Sequence, residues 1–161
     1  MKIDVRDLAG HPGSSRKLHL GEPLEGLRLG LAAVDSPVGG DLLLEGVEDG
    51  VIVTGRLDGA MTLTCARCLK PFDDKFDLKV RELFASHPGD DDYVLESHGE
   101  IDPEPMIRDA VLLAMPFSPM HAADCKGLCP RCGADRNDGP CGHEDEPADP
   151  RWAGLQQFID Q

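Results

Sequence analysis

Six cysteines constrain the fold of this 161-residue chain more than any other feature, and four of them lie in one segment near its C-terminus. Two of these four form Cys129-Pro-Arg-Cys132, which is followed by Gly133. Thiolates separated by two residues can bind one metal ion from a single tight turn, in which Pro130 shapes the backbone and Gly133 accepts a positive φ. The spacing predicts a zinc knuckle, and the alternative is a mobile tail with unpaired thiols.

A structural zinc ion takes four ligands, so this knuckle needs two more. Neighbouring residues complete a local site that consists of Cys125, Cys129, Cys132 and Cys141, with His143 able to replace Cys125 or Cys141. Ligands that are close in sequence close a short loop at a low entropic cost, which favours this set. We therefore predict these four cysteines as metal ligands and His143 as a substitute.

The remaining pair, Cys65-Ala-Arg-Cys68, offers a different ligand set. Joined to Cys129 and Cys132, it would make a two-knuckle site that clamps the C-terminal segment onto the rest of the chain. Leu69 and Lys70 stand where a typical knuckle has glycine, so this pair is the less typical of the two. The sequence leaves both ligand sets open.

Thiol–disulfide chemistry is another possible use of Cys65 and Cys68. In thioredoxin-like enzymes such a pair opens a helix whose dipole lowers the thiol pKa. Here Lys70-Pro71 and a strand pattern follow instead. The chain shows no nucleophile–base pattern and no phosphate-binding glycine loop, which predicts a protein that is not an enzyme. Five histidines are scattered and are expected to be surface or packed residues: His11, His19, His87, His98 and His121.

Two hairpins that share the strand over residues 51–65 are predicted between residues 41 and 84, and the second of them is the long one. Asp49-Gly50 marks a turn, and residues 51–65 place an apolar or small side chain at every second position. Residues 72–84 continue as a second strand, so the Cys65/Cys68 pair should lie near the hairpin tip. Shorter strands are expected over 1–9, 17–20, 27–34 and 93–95.

The predicted fold is α+β, with a curled, mostly antiparallel sheet or partial barrel and one covering helix. Gly55 and Gly59 favour the curl, because glycines inside strands often mark bends or bulges. Asp102-Pro103-Glu104 is a typical helix start, and an apolar stripe follows it, which places the helix near 103–115. We expect a β-rich domain over 1–121, a zinc-binding segment over 122–145 and a tail over 146–161 with the apolar spacing of a short helix.

The net charge of −14 and the pI of about 4.6 disfavour broad contact with phosphates, because no run of Lys or Arg compensates them. A basic protein is the better electrostatic match. Residues 1–6 alternate in charge, unlike a secretory signal, and no stretch approaches the roughly 20 apolar residues of a membrane span. We expect a cytoplasmic protein, in which clustered cysteines are more often metal ligands or redox groups than disulfides.

The order and spacing of five segments resemble the YceD family, bacterial and plastid proteins linked to the accumulation of large-subunit ribosomal RNA. These segments are Leu-Thr-Cys-Ala-Arg-Cys at 63–68, the strand at 72–84, the helix at 107–114, Met-Pro-Phe-Ser-Pro-Met-His at 115–121, and the cysteine-rich stretch at 124–133. The last stretch is found in longer members of the family.

This resemblance implies a non-enzymatic factor in ribosome assembly or in the stability of the large ribosomal RNA. Genes of the family often lie beside that of a small basic ribosomal protein. With this charge, the expected partner is a basic ribosomal protein or a preribosomal large-subunit particle, and direct contact with ribosomal RNA is the less favoured route. Longer relatives often end in Cys-x-Cys where this chain has Cys141-Gly-His143, which makes His143 a candidate ligand. The alternatives are a thiol–disulfide oxidoreductase using Cys65 and Cys68, and a zinc-stabilised adaptor unrelated to ribosomes.

Overall fold

The structure, a computed structural model, describes residues 1–24, 26–90 and 92–143. The predicted tail over 146–161 lies outside these residues. Nine strands and one helix are present in the described part of the chain. Their bounds are β1 (Ile3–Asp4), β2 (Ser15–Pro23), β3 (Leu27–Leu29), β4 (Ala32–Val34), β5 (Pro37–Val47), β6 (Gly50–Thr64), β7 (Pro71–Ala85), β8 (Tyr93–Val94), β9 (Glu100–Ile101) and α1 (Glu104–Ala114).

Strand β6 is the centre of a seven-stranded sheet. It pairs with β7 along its whole length, and its other edge is shared between β5 and the short strand β4. β2 lies outside β5, and β3 lies outside β4. All of these pairs are antiparallel, whereas β8 pairs in parallel with the C-terminal end of β7, at Phe84 and Ala85. β1 and β9 form a separate two-stranded sheet.

The core lies against the face of the sheet that α1 covers. Val47 pairs with Gly50, so Glu48 and Asp49 form the two-residue turn of the β5–β6 hairpin. Beyond this turn, alternate residues of both strands are buried, as the period-two pattern predicts. Side chains from strands and helix form one apolar cluster, whose largest fully buried members include Phe84, Leu27, Leu42, Leu44, Leu57, Leu63, Ile101 and Met106.

The predicted curl or partial barrel is wrong. The pairing of β6 with β7 runs without a bulge from Gly50 opposite Ala85 to Thr64 opposite Pro71. Among the described residues the outer strands of the sheet, β2, β3 and β8, do not pair with one another, so the sheet stays open. Fifteen consecutive residue pairs hold β6 and β7 in one register and leave no extra residue to bend the sheet.

Close packing explains the two strand glycines that were expected to mark bends. A Cβ atom at Gly55 would lie 2.2 Å from the backbone oxygen of Asp41 on β5. At Gly59 it would lie 2.6 Å from the ring of Phe76, the cross-strand partner of that glycine. Both positions therefore need glycine because a neighbouring strand or ring comes too close for a side chain.

The helix agrees with its prediction near 103–115, since α1 spans Glu104–Ala114. Its N-cap is Pro103, and the carboxylate of Asp102 accepts a hydrogen bond from the Glu104 N–H at 3.0 Å. The predicted strand over 27–34 is instead two strands, because Gly30 takes a φ of 56° and turns β3 back onto β4. No helix in the described ranges is long and apolar enough to cross a membrane.

Gly55→Ala should lower the free energy of unfolding by about 1–3 kcal/mol, because the new methyl group forces β5 and β6 apart. Denaturant unfolding monitored by circular dichroism would measure the change. Gly39→Ala is the matched control, since a Cβ there meets only the Asp58 carboxylate and backbone at 3.7 Å or more. Equal stability of the two variants would contradict the packing role of Gly55.

Candidate metal centres

Eight Cys and His residues form two clusters, each with three thiols and one imidazole. Within each cluster, one ligand atom from every residue lies within 4.8 Å of the others. Four sulfur and nitrogen donors at this separation could hold a metal ion. We call them the hairpin-tip cluster, which contains Cys65, Cys68, His121 and Cys125, and the C-terminal cluster, which contains Cys129, Cys132, Cys141 and His143.

The turn between β6 and β7 positions the first pair of thiols. The Cys65 N–H donates to the Lys70 oxygen at 2.9 Å, and the Leu69 N–H donates to the Cys65 oxygen at 2.9 Å. To close this turn, Leu69 takes a φ of 58°, in the left-handed region. Both thiols therefore project from one tight turn at the end of the long hairpin.

The same turn is built a second time around Cys129. Its N–H donates to the Ala134 oxygen at 2.8 Å, and the Gly133 N–H donates to the Cys129 oxygen at 2.8 Å. Gly133 has a φ of 72° and so occupies the place of Leu69 in the first turn. Leu128 bridges to Asp135 just as Thr64 pairs with Pro71. The sequence after Cys68 is less typical of a zinc knuckle, but it forms a turn with the same backbone hydrogen bonds and the same positive φ.

The exit of α1 supplies the other half of the hairpin-tip cluster. His121 Nδ1 lies 3.4 Å from Cys68 Sγ, and Cys125 Sγ lies 3.8 Å from Cys65 Sγ. A hydrogen bond from the Ala66 N–H to the Pro119 oxygen at 2.8 Å fixes this segment against the turn. All three cysteines are buried, whereas the His121 side chain is exposed.

The C-terminal cluster is more open to solvent. Cys129 is buried, Cys132 is exposed and Cys141 is half-buried. His143 Nδ1 lies 3.9 Å from Cys129 Sγ. A metal ion in this cluster would therefore be more accessible to competing ligands than one in the hairpin-tip cluster.

Hydrogen bonds prepare the first cysteine of each turn to be a thiolate. The His121 side chain, followed by the N–H groups of Cys68, His121 and Arg67, lowers the pKa of Cys65 to about 5. The N–H groups of Cys132 and Arg131 lower the pKa of Cys129 to about 6. Backbone N–H groups aimed at sulfur stabilise the anion that a metal ion requires.

The second cysteine of each turn shifts in the opposite direction. At Cys68 the Lys70 N–H favours the thiolate, but burial and the neighbouring Cys65 and Cys125 thiols outweigh it and raise the pKa. At Cys132 the Ala134 N–H is outweighed in the same way, by Cys129 and by burial. Clustered thiols cannot all ionise without a cation among them, because like charges in close contact disfavour one another.

Direct contacts attach the second turn to the first. The Arg67 guanidinium donates to the Cys125 oxygen at 2.9 Å, and the Leu128 N–H donates to the Arg67 oxygen at 3.1 Å. The Lys70 ammonium lies 2.6 Å from an Asp135 carboxylate oxygen and, with the Asn137 N–H, lowers the pKa of Asp135 to about 2. These two hydrogen bonds and this ion pair therefore hold the cysteine-rich segment on the hairpin tip.

The clusters divide the predicted ligands differently from either predicted set. Cys129, Cys132 and Cys141 lie together with His143, the predicted substitute, while Cys125 lies with Cys65 and Cys68. His121 was expected to be a surface or packed residue and was missed as a candidate ligand. Its spacing, His121-Ala-Ala-Asp-Cys125, places two ligand-type residues four apart, and this pattern was the available clue.

Exchanging the residue after each Cys-x-x-Cys should change stability in opposite directions. Leu69→Gly should raise the free energy of unfolding by up to about 1 kcal/mol, because a positive φ strains any residue with a Cβ and the side chain of Leu69 is 57% exposed. Gly133→Leu should lower it by about 1 kcal/mol. Chemical denaturation under identical metal conditions measures both changes, and a destabilising Leu69→Gly would contradict the equivalence of the two turns.

Comparison with known proteins identifies relatives of the whole chain. The family model "Large ribosomal RNA subunit accumulation protein YceD" matches residues 53–159. An uncharacterized protein of Mycobacterium tuberculosis is 37% identical over 99% of this chain and 81% of the relative. One from Mycobacterium leprae is 31% identical over 98% of this chain and 76% of the relative.

A more distant relative is the uncharacterized protein YlbN of Bacillus subtilis, which is 28% identical over 65% of this chain and 64% of its own length. No solved structure matches the chain. The family match covers more than half of the sequence and includes both cysteine turns. The chain therefore belongs to the YceD family.

Proposed function

We propose that this protein is a non-enzymatic ribosome biogenesis factor that supports the accumulation, processing or stability of large-subunit ribosomal RNA. The family match over residues 53–159 carries this proposal, because the family is named for large ribosomal RNA subunit accumulation. The factor acts by binding in the cytoplasm, and its partner is a basic ribosomal protein or a preribosomal large-subunit particle. The net charge of −14 supports a basic protein partner over direct contact with RNA phosphates.

The proposed factor carries structural zinc in both clusters. Three thiolates and one imidazole are a common ligand set for structural zinc, and the lowered pKa values of Cys65 and Cys129 fit thiolate ligands. Zinc in the hairpin-tip cluster would join the β6–β7 turn to the exit of α1. Zinc in the C-terminal cluster would order residues 129–143, a segment with few apolar side chains.

Burial argues against the alternative of a thiol–disulfide oxidoreductase. Such an enzyme exposes its attacking thiolate to a disulfide substrate. Cys65 has no exposed surface and Cys68 is 4% exposed, so neither sulfur is within reach of a protein disulfide. The low pKa of Cys65 comes first from the His121 side chain, which would bind the metal ion in the loaded protein. The N–H groups of Cys68, His121 and Arg67 lower this pKa further, through hydrogen bonds that a metal-bound thiolate can also accept.

Metal analysis tests the zinc proposal. The purified protein should contain about two zinc ions per chain, since each four-ligand cluster holds one. Cys65→Ser/Cys68→Ser and Cys129→Ser/Cys132→Ser should each lose about one ion, measured by inductively coupled plasma mass spectrometry. Loss of all zinc in both variants would indicate a single shared site, and a wild-type protein without metal would refute the proposal.

Deletion of the gene should lower the amount of large-subunit ribosomal RNA relative to small-subunit ribosomal RNA. Quantification of both RNAs measures the ratio, and expression of the wild-type protein should restore it. The variant Leu43→Ser changes a half-buried side chain on the sheet face opposite the core, and it should restore the ratio as well as the wild-type protein does. An unchanged ratio in the deletion strain, or purification of the tagged protein without any ribosomal protein or ribosomal RNA, would contradict the proposed function.

A further inference from the structure

Two large apolar side chains at the exit of α1 are almost fully exposed. Leu113 is 87% exposed and Phe117 is 89% exposed, more than any other large hydrophobic residue in the described part of the chain, and Met120 is 42% exposed. We call these three residues the helix-exit surface. Burying a Leu or Phe side chain contributes about 1.5–3 kcal/mol, so their exposure leaves binding energy available to a partner.

The backbone that carries this surface is fixed at both ends. Met115 is buried, and the oxygen of the buried Pro119 accepts a hydrogen bond from the Ala66 N–H at the hairpin tip. His121, two residues further on, lies in the hairpin-tip cluster. Phe117 is therefore displayed on a short segment that is already ordered, and a partner would bind it with little loss of conformational entropy.

The face of α1 that carries Leu113 also carries an exposed carboxylate. Asp109 lies one helical turn before Leu113 on the same face of α1, and its exposed carboxylate accepts a hydrogen bond from Tyr93 Oη at 2.9 Å. The last turn of α1 contains no basic residue to offset the negative end of its dipole, although the Leu112 oxygen already accepts a hydrogen bond from the Met115 N–H. Residues 109–125 include two carboxylates, Asp109 and Asp124, and are flanked by Arg108 and Lys126.

We propose that the helix-exit surface docks a segment of a basic protein, which inserts an apolar side chain against Phe117 and Leu113 and places a Lys or Arg near Asp109 and the C-terminal end of α1. This inference rests on the proposed function and locates the surface that recognises its partner. The C-terminal residues 144–161 of this chain, which include Trp152, Leu155 and Phe158, are the competing occupant. Charge disfavours it, because residues 144–161 contain five acidic residues and one Arg.

Binding to proteins extracted from purified large ribosomal subunits tests the inference. The immobilised, full-length, zinc-loaded protein should retain one or more basic proteins, identified by mass spectrometry, and their affinity is then measured with the purified components. Phe117→Ser should weaken binding about tenfold or more, as expected for an aromatic anchor at an interface. Asp109→Asn should weaken it less, and mainly at low salt.

Leu43→Ser serves as the control, because this residue lies on the sheet face turned away from α1. It should bind as the wild-type protein does. Unchanged circular dichroism of Phe117→Ser would show that the fold is retained. If a basic protein binds wild type and Phe117→Ser equally, the docking surface is refuted while the proposed function stands. If wild type retains no basic large-subunit protein, the docking surface is refuted, whereas the proposed function is decided by the ratio of the two ribosomal RNAs in the deletion strain.

The single tryptophan, Trp152, distinguishes the chain's own tail from an external partner. If the helix-exit surface is free for a partner, the Trp152 emission of the unbound protein should be the same in wild type, Phe117→Ser and Leu43→Ser. A red shift of the emission in Phe117→Ser alone would show that residues 144–161 occupy the surface. That outcome would overturn the proposal.

Discussion

The continuous pairing of β6 with β7 is the interaction on which the other parts of this protein depend. Its fifteen residue pairs fix the register that buries Val51, Leu57 and Phe84 against the core. The same register brings Thr64 opposite Pro71, so the chain reverses within six residues and places Cys65 and Cys68 side by side. A slip of one residue would turn every apolar side chain of the strand to the solvent face and would misplace both thiols.

The Cys-x-x-Cys turn at this hairpin tip is repeated once in the cysteine-rich segment. Both Cys-x-x-Cys turns use the same two backbone hydrogen bonds, the same left-handed residue after the second cysteine and the same cross-strand bridge before the first. They differ in what completes them. The cluster of the first turn is completed by His121 and Cys125, which follow α1 in the chain. The cluster of the second turn is completed by Cys141 and His143, which follow that turn directly.

Sequence patterns predicted the elements that are determined by residues close to one another in the sequence. The turn marked by Asp49-Gly50, the alternation along β5 to β7 and the helix near 103–115 each depend on neighbouring residues. The turn is formed by Glu48 and Asp49, one residue before its signal, and the alternation and the helix at Glu104–Ala114 were found. The ligand partners were harder to predict, because His121 and Cys65 are brought together only by the path of the chain over the sheet. The entropy of loop closure favours ligands that are close in sequence. In the folded protein, however, the packed core has already placed His121 and Cys125 beside Cys65 and Cys68.

The short strand β8 pairs with β7 only at Phe84 and Ala85, so within the described ranges the edge of β7 from Pro71 to Leu83 has no strand beside it. An exposed edge of this length can recruit another chain into an intermolecular sheet. Charged residues occupy more than half of it, with both signs interleaved, and they discourage such stacking: Asp73, Asp74, Lys75, Asp77, Lys79, Arg81 and Glu82. The charge pattern of β7 thus protects the protein from aggregation along the strand that its fold requires to be long.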